Sequence, residues 1–279
     1  MNDPDVRYRA TSDGVDIAYW VVGEGPPLIH LPGIPYTHIG HEWRIPEFRR
    51  WFELLADRRA MVRYDSRGLG LSQREVSTCS LEAFVLDLDA VIGAVSAAKV
   101  ALYARVHATP IALAYAARHP ERVSHVVLMR GYARGRDHVR SEAASQVREH
   151  LGSNWDRFTR ELAMYGPRWT GKRATAQFTR YVSDGITPEL FALYDRAIHE
   201  ADVSSELERI AAPTLLLYRE SRPSDLPNAN ELAARIANAT VKMLPDSADS
   251  RFLGDADDLA STIGAFLANA VEAEAKLPT

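Results

Sequence analysis

The chain has 279 residues, 46% hydrophobic and 25% charged, which is ample apolar material for a sizeable core and excludes a disordered or fibrous class. Its 33 basic residues stand against 37 acidic ones, spread along the chain with a formal net charge of -4, so neither nucleic acid nor a membrane surface is an expected partner. The single cysteine, Cys79, excludes an internal disulfide, and no apolar run reaches the roughly 20 residues of a membrane span.

The charged stretch Met1 to Ala10 lacks the apolar centre of a signal peptide, and with one cysteine the expected location is the cytoplasm. Arg7 to Thr11 and Val15 to Val22 alternate or run apolar around Ser12-Asp13-Gly14, which predicts a hairpin. Leu28 to Leu31 reads as a short buried strand ending at Pro32-Gly33-Ile34-Pro35. Glu47 to Ala56 carries Phe48, Trp51, Phe52, Leu54 and Leu55 at helical spacing, and Ala60 to Tyr64 is the next strand. The turn Tyr64-Asp65-Ser66-Arg67-Gly68-Leu69-Gly70-Leu71-Ser72 follows. Its charged residues read as serving the backbone beside the site, as an ion-paired turn, rather than as catalysts. Leu81 to Val95 is an amphipathic helix with Leu81, Phe84, Val85, Leu88, Val91 and Ile92 on one face. Cys79 precedes it in a turn with no electropositive neighbour, which argues against a reactive thiol.

From Lys99 to Val127 the chain reads as a short apolar run, a turn, the Ala-rich helix ending at His119-Pro120, and a second apolar run from Val123 to Met129. This is the repeat of a parallel sheet. With its tail Tyr115-Ala116-Ala117-Arg118-His119-Pro120-Glu121-Arg122-Val123, the unit resembles the nucleophile elbow of the α/β-hydrolase superfamily. The Tyr64 to Ser72 turn resembles the Tyr-Asp-x-Arg-Gly-x-Gly-x-Ser turn of the same superfamily. The stretches His41-Glu42-Trp43-Arg44-Ile45-Pro46 and Gly131-Tyr132-Ala133-Arg134-Gly135-Arg136 are similar to a bacterial subgroup of hydrolase-like domains often fused to nucleotide cyclases or helix-turn-helix regulators. The 279 residues hold no stretch like either extension.

The resemblance implies an α/β fold with a mostly parallel central sheet flanked by helices. It assigns residues 1–136 and 206–279 to the core and 137–205 to a helical cap. That insertion is polar and strand-poor, interleaved with Trp155, Phe158, Tyr165, Trp169, Phe178, Tyr181, Phe191 and Tyr194. After it, Ala212-Pro213-Thr214 opens the strand Leu215 to Tyr218. Val241 to Leu244 is the expected last strand, Leu259 to Val271 the closing helix, and Glu272 to Thr279 a loose tail.

In the family the elbow is Gly-x-Ser-x-Gly. Counting back from Pro110, the serine position falls on Val106 and the flanking glycines on Ala104 and Ala108. The resemblance gives the oxyanion amides to Ile34 and His107, the acid to Arg222, with Asp225 as a shifted substitute, and the histidine to Asp249. Valine has no atom to attack with, so Ser-type covalent catalysis is not available at that position. Arg222 and Asp249 are expected to form an ion pair with swapped polarity. Arg105 is expected under the cap as a cation for an anionic ligand, and Ile34, His38, Arg105, Val106, His107 and Asp249 are the candidate pocket residues. His30, His38 and His41 are expected around the oxyanion loop. Their spacing is too sparse for a metal site, so neither a metal nor another cofactor is expected.

Four functions compete. The first is a triad-less protein binding a small, partly apolar molecule in a capped pocket. The second is an enzyme of isomerase, lyase or cyclase type using His107, Arg105 and the Pro32 to His41 loop. The third is a protein-interaction module that does in trans what the fused relatives do in one chain, with a protein partner or a second copy of the chain, for which the sign would be a large exposed apolar patch. The fourth is an ester or amide hydrolase by analogy of fold.

Overall fold

The computed structural model of the protein describes residues 3–35, 37–138, 154–165, 172–245 and 255–274. Its strands are β1 (Arg7–Ala10), β2 (Asp16–Val22), β3 (Pro27–His30), β4 (Ala60–Tyr64), β5 (Val100–Arg105), β6 (Val123–Met129), β7 (Thr214–Arg219) and β8 (Ala239–Leu244). They form one 8-stranded sheet in the order β1-β2-β4-β3-β5-β6-β7-β8. The expected hairpin pairs β1 with β2 antiparallel, and β2 is antiparallel to β4. Every pairing from β4 through β3 to β8 is parallel. This is the mostly parallel α/β sheet flanked by helices that the sequence implies.

Parallel strands need crossover helices, which cover both faces and leave near-continuous apolar strands. β5 shows how the period of two divides the core. Leu102 and Ala104 join one cluster, with Ile29, Val62, Val126 and Leu216, against α3 (Leu81–Ala94) and α4 (Thr109–Arg118). Ala101 and Tyr103 join the other, with Leu28, Met61, Val127 and Leu217. That second face is covered by α1 (Ile39–Arg44), α2 (Pro46–Leu55) and the closing helix Ala256–Glu274. α4 is buried from Thr109 to Ala117. Its alanines let its backbone lie close to the sheet and α3, while Ile111 and Leu113 each contribute roughly 1.5–3 kcal/mol by leaving water.

Several boundaries differ by a few residues from the sequence reading. α2 starts at Pro46 because a proline is pre-shaped for the first helical turn, whose N–H groups have no helical partner. β8 starts at Ala239 because Ala239 and Thr240 pair with Thr214 and Leu215. The closing helix starts at Ala256, three residues ahead of Leu259.

Between β6 and β7 the described residues form α5 (Trp155–Tyr165), α6 (Lys172–Gly185) and α7 (Pro188–Glu200). Phe158, Phe191 and Tyr194 extend the α3/α4 cluster, so this insertion shares the core's apolar interior. Polar contacts fasten it to the body. Tyr181 donates to Glu42 Oε1 at 2.9 Å, and Tyr194 donates to Arg67 O at 2.6 Å. Gly70 N–H and Arg74 Nη1 both donate to Gly185 O, at 2.9 and 2.7 Å. After β7 come α8 (Leu226–Arg235), β8 and the closing helix α9 (Ala256–Glu274).

Candidate functional site

β3 and β5 are neighbouring parallel strands, so the segments leaving their C-terminal ends begin side by side; Leu31 N–H donates to Tyr103 O at 2.9 Å. In open α/β sheets this end of the strands is where ligands bind. The segment after β3 carries Ile34, which is buried. The segment after β5 turns at once: Arg105 is extended, with φ of -132°, and Val106 has φ of +47°. A left-handed β-branched residue is rare, because Cβ crowds its own backbone at a cost of about 1–2 kcal/mol.

A set of hydrogen bonds holds this turn against that cost. Thr109 Oγ1 donates to Val106 O at 2.7 Å, and Thr109 N–H caps the same carbonyl. Tyr132 N–H in turn donates to Thr109 Oγ1 at 3.3 Å, tying the exit of β6 to the turn after β5. Ala104 and Ala108, where the family has glycines, are fully buried small residues.

His107, next to Val106, is half-buried. Its Nδ1 lies 2.6 Å from the hydroxyl of buried Tyr132. The ring of His138 lies edge-on to His107 at 4.7 Å between centroids, and 5.1 Å from the Tyr132 ring. Sequence reasoning singles out His107 and misses Tyr132 and His138 as partners. The available signal was that β6 adjoins β5, so polar residues just past β6 must lie beside the elbow.

The other expected residues divide between this place and elsewhere. Arg105 does not join the insertion's side of the sheet. Strand alternation puts it with Ala101 and Tyr103 on the α1, α2 and α9 face. Burial holds its guanidinium below the usual range, reinforced by Arg130, Arg63 and Arg219. Those three arginines are paired with Asp225, Glu42 and Asp255 respectively. His38 caps the N-terminus of α1, its Nδ1 accepting from His41 N–H at 3.2 Å. Burial, then repulsion from His41, pushes its imidazole down to about 4. His41 meets His38 at 4.1 Å between ring centroids and contacts Asp184 Oδ2 of α6 through Nε2 at 2.9 Å. His30 separates from these two: it is buried against Tyr103 and Phe52 and accepts from Trp51 Nε1 at 3.4 Å.

Arg222 precedes the short helical turn Pro223–Asp225, its N–H donating to Arg219 O at 3.1 Å. Asp225 is buried and accepts from Arg130 Nε at 2.6 Å. Asp249, and with it the expected Arg222 to Asp249 ion pair, lies outside the described residues. Asp65 and Arg67 brace the backbone through separate partners. Asp65 accepts from the N–H groups of Ile39 and Leu71, and Arg67 pairs with Asp87 and Asp13. Burial pushes the Cys79 thiol up to about 11. Among the described residues no group of His, Cys, Asp or Glu is placed to hold a metal, and no described helix is long and apolar enough to cross a membrane.

Comparison with known proteins identifies the fold family. The family profile described as alpha/beta hydrolase fold matches residues 26–180, more than half of the chain. The putative carbamate hydrolase RutD of Caulobacter sp. (strain K31) is 23% identical over 200 residues, covering 69% of this chain and 75% of that protein. The probable oxidoreductase EphD of Mycobacterium bovis is 38% identical over 94 residues. That match covers 32% of this chain and only 15% of EphD. Among solved structures, the esterase EaEST from Exiguobacterium antarcticum superposes with a TM-score of 0.76 at 17% identity, covering 93% of this chain and 98% of the esterase.

Proposed function

The chain belongs to the alpha/beta hydrolase fold family, and on that premise we propose that it acts on a small ester or amide without forming an acyl-enzyme. The observation that carries this reading is Val106: it occupies the left-handed bend between β5 and α4 and offers only hydrocarbon there. In the family that bend presents the attacking oxygen, and in this reading water takes its place. RutD and EaEST favour hydrolysis over a role in binding alone, and neither fixes the substrate.

The pieces for holding a carbonyl compound are assigned by the resemblance. The backbone N–H groups of Ile34 and His107 receive the carbonyl oxygen, and the apolar side chain of Val106 packs against the acyl group. The resemblance assigns the roof of the pocket to the insertion between β6 and β7.

Turnover of para-nitrophenyl acetate, run beside labelling with a fluorophosphonate, tests this. The expected result is hydrolysis above the buffer rate with no label on the protein. Labelling would overturn the reading. A second reading, binding without turnover, rests on Arg222 standing where the family places its acid; it is the outcome if para-nitrophenylacetone binds and the ester is not hydrolysed.

A further inference from the structure

We infer that His107 is the proton acceptor of this site and that Tyr132 positions it. This inference rests on the hydrolytic reading above. It begins from a juxtaposition: an imidazole on the residue after the elbow, a buried phenol bonded to one of its nitrogens, and a second imidazole against both rings.

The two nitrogens of an imidazole point in different directions, and a partner on one fixes the task of the other. Tyr132 occupies Nδ1 of His107 at 2.6 Å, which turns Nε2 away from Tyr132. Tyr132 is itself held in place: its ring is buried, and its N–H is tied through Thr109 Oγ1 to the carbonyl of Val106. The elbow and the imidazole are therefore held by one chain of bonds. His138 closes the side of both rings and completes a small polar cluster. The neighbouring Asp137 pairs with Arg134, which also holds Glu231. A general base must lie within hydrogen-bond reach of the water it activates and exchange protons near neutral pH, which an imidazole does and a valine, arginine or exposed carboxylate does not.

The step balances with water as the only co-reactant. His107, with Nδ1–H donating to Tyr132 Oη, takes one proton of the water at Nε2. The water oxygen bonds to the carbonyl carbon, and the π pair moves onto the oxygen facing the backbone amides of Ile34 and His107. Collapse of that oxyanion re-forms the carbonyl and breaks the bond to the leaving group, which takes the proton back from Nε2. The products are an acid and an alcohol or amine, and the imidazole is neutral again.

The experiment measures kcat and KM for para-nitrophenyl acetate across pH for the wild type and for His107→Ala, His107→Gln and Tyr132→Phe, with exposed His199→Gln as control. Melting curves report folding for each. The inference predicts a wild-type kcat that rises with one ionisation in the imidazole range. His107→Ala should lose on the order of 100-fold or more in kcat with KM little changed, and added imidazole should restore part of it. Tyr132→Phe should move the midpoint of the profile and lower kcat about tenfold, since the ring nitrogen loses its fixed partner. If folded His107→Gln turns over like the wild type, or imidazole fails to rescue His107→Ala, the inference falls and the hydrolytic reading stands. If the wild type does not hydrolyse the ester, the inference and the hydrolytic reading fall together, and binding of para-nitrophenylacetone then decides for the binding role.

Discussion

Two turns leave neighbouring regions of the same sheet edge and are built in opposite ways. In the turn after β4, from Asp65 to Ser72, polar groups close on one another. Asp65 accepts from the N–H groups of Ile39 and Leu71, Ser72 Oγ donates to Asp65 O, and Arg67 is clasped by Asp87 and Asp13. Gly70 completes it: a Cβ there would lie 2.1 Å from Asp65 Oδ2, so the carboxylate can reach the backbone only because the side chain is missing. In the turn after β5, the residue at the bend is an aliphatic one in a left-handed conformation, and the polar groups stand beside it in His107 and Tyr132. The first turn is a brace, and the insertion is fastened to it through Tyr194 and Gly185. The second keeps a strained shape. Charge density alone draws attention to the first turn, whereas the left-handed valine, in a conformation that Arg58 and Arg130 also adopt, marks the second as the place of the proposed chemistry.

The sharpest way to break this comparison is to open the brace. Asp87→Ala leaves Arg67 buried beside the half-exposed Asp13 alone, and should cost about 3–5 kcal/mol in denaturant unfolding. A loss well below 1 kcal/mol would show that the arginine does not need its buried partner. Asp65→Ala strands two amides and should cost about 2 kcal/mol, measured the same way.

His38, in the turn after β3, sharpens the contrast through pH. Its imidazole is held down at about 4 in the folded chain against an ordinary 6.5. Neutral His38 therefore contributes in full above the unfolded value, and the contribution is lost as pH falls through the folded one. Between about pH 6.5 and about 4 the wild type should lose up to about 1.4 kcal/mol more per pH unit than a variant without this imidazole, a difference to be read by unfolding at descending pH. His38→Gln is that variant, since its amide oxygen still caps α1 and takes no proton. The smallest effect belongs to the elbow: Val106→Gly should raise stability by about 1 kcal/mol, because relief of the left-handed valine outweighs the added chain entropy.

The sequence makes the sheet and its crossover helices legible because they rest on apolar periods and turn residues, which are local. The elbow is legible for the same reason: Pro110 and the Ala-rich helix fix its register even with valine in the key place. What is not legible depends on which face a strand residue takes and on which strand ends meet. Arg105 reads as a pocket cation until the alternation of β5 sends it to the α1 and α2 face with Tyr103. Tyr132 and His138 look like ordinary residues of a polar segment until the pairing of β5 with β6 carries them against His107. Asp65 and Arg67 stand two residues apart in a charged turn, and only the fold reveals that each has its own partners.

The central claim is that the bend after β5 presents no nucleophile. Intact mass of the protein, quenched during turnover of para-nitrophenyl acetate, tests it directly. The mass should stay that of the unmodified chain at every time point while product accumulates, and a transient gain of one acetyl group that vanishes on completion would contradict it.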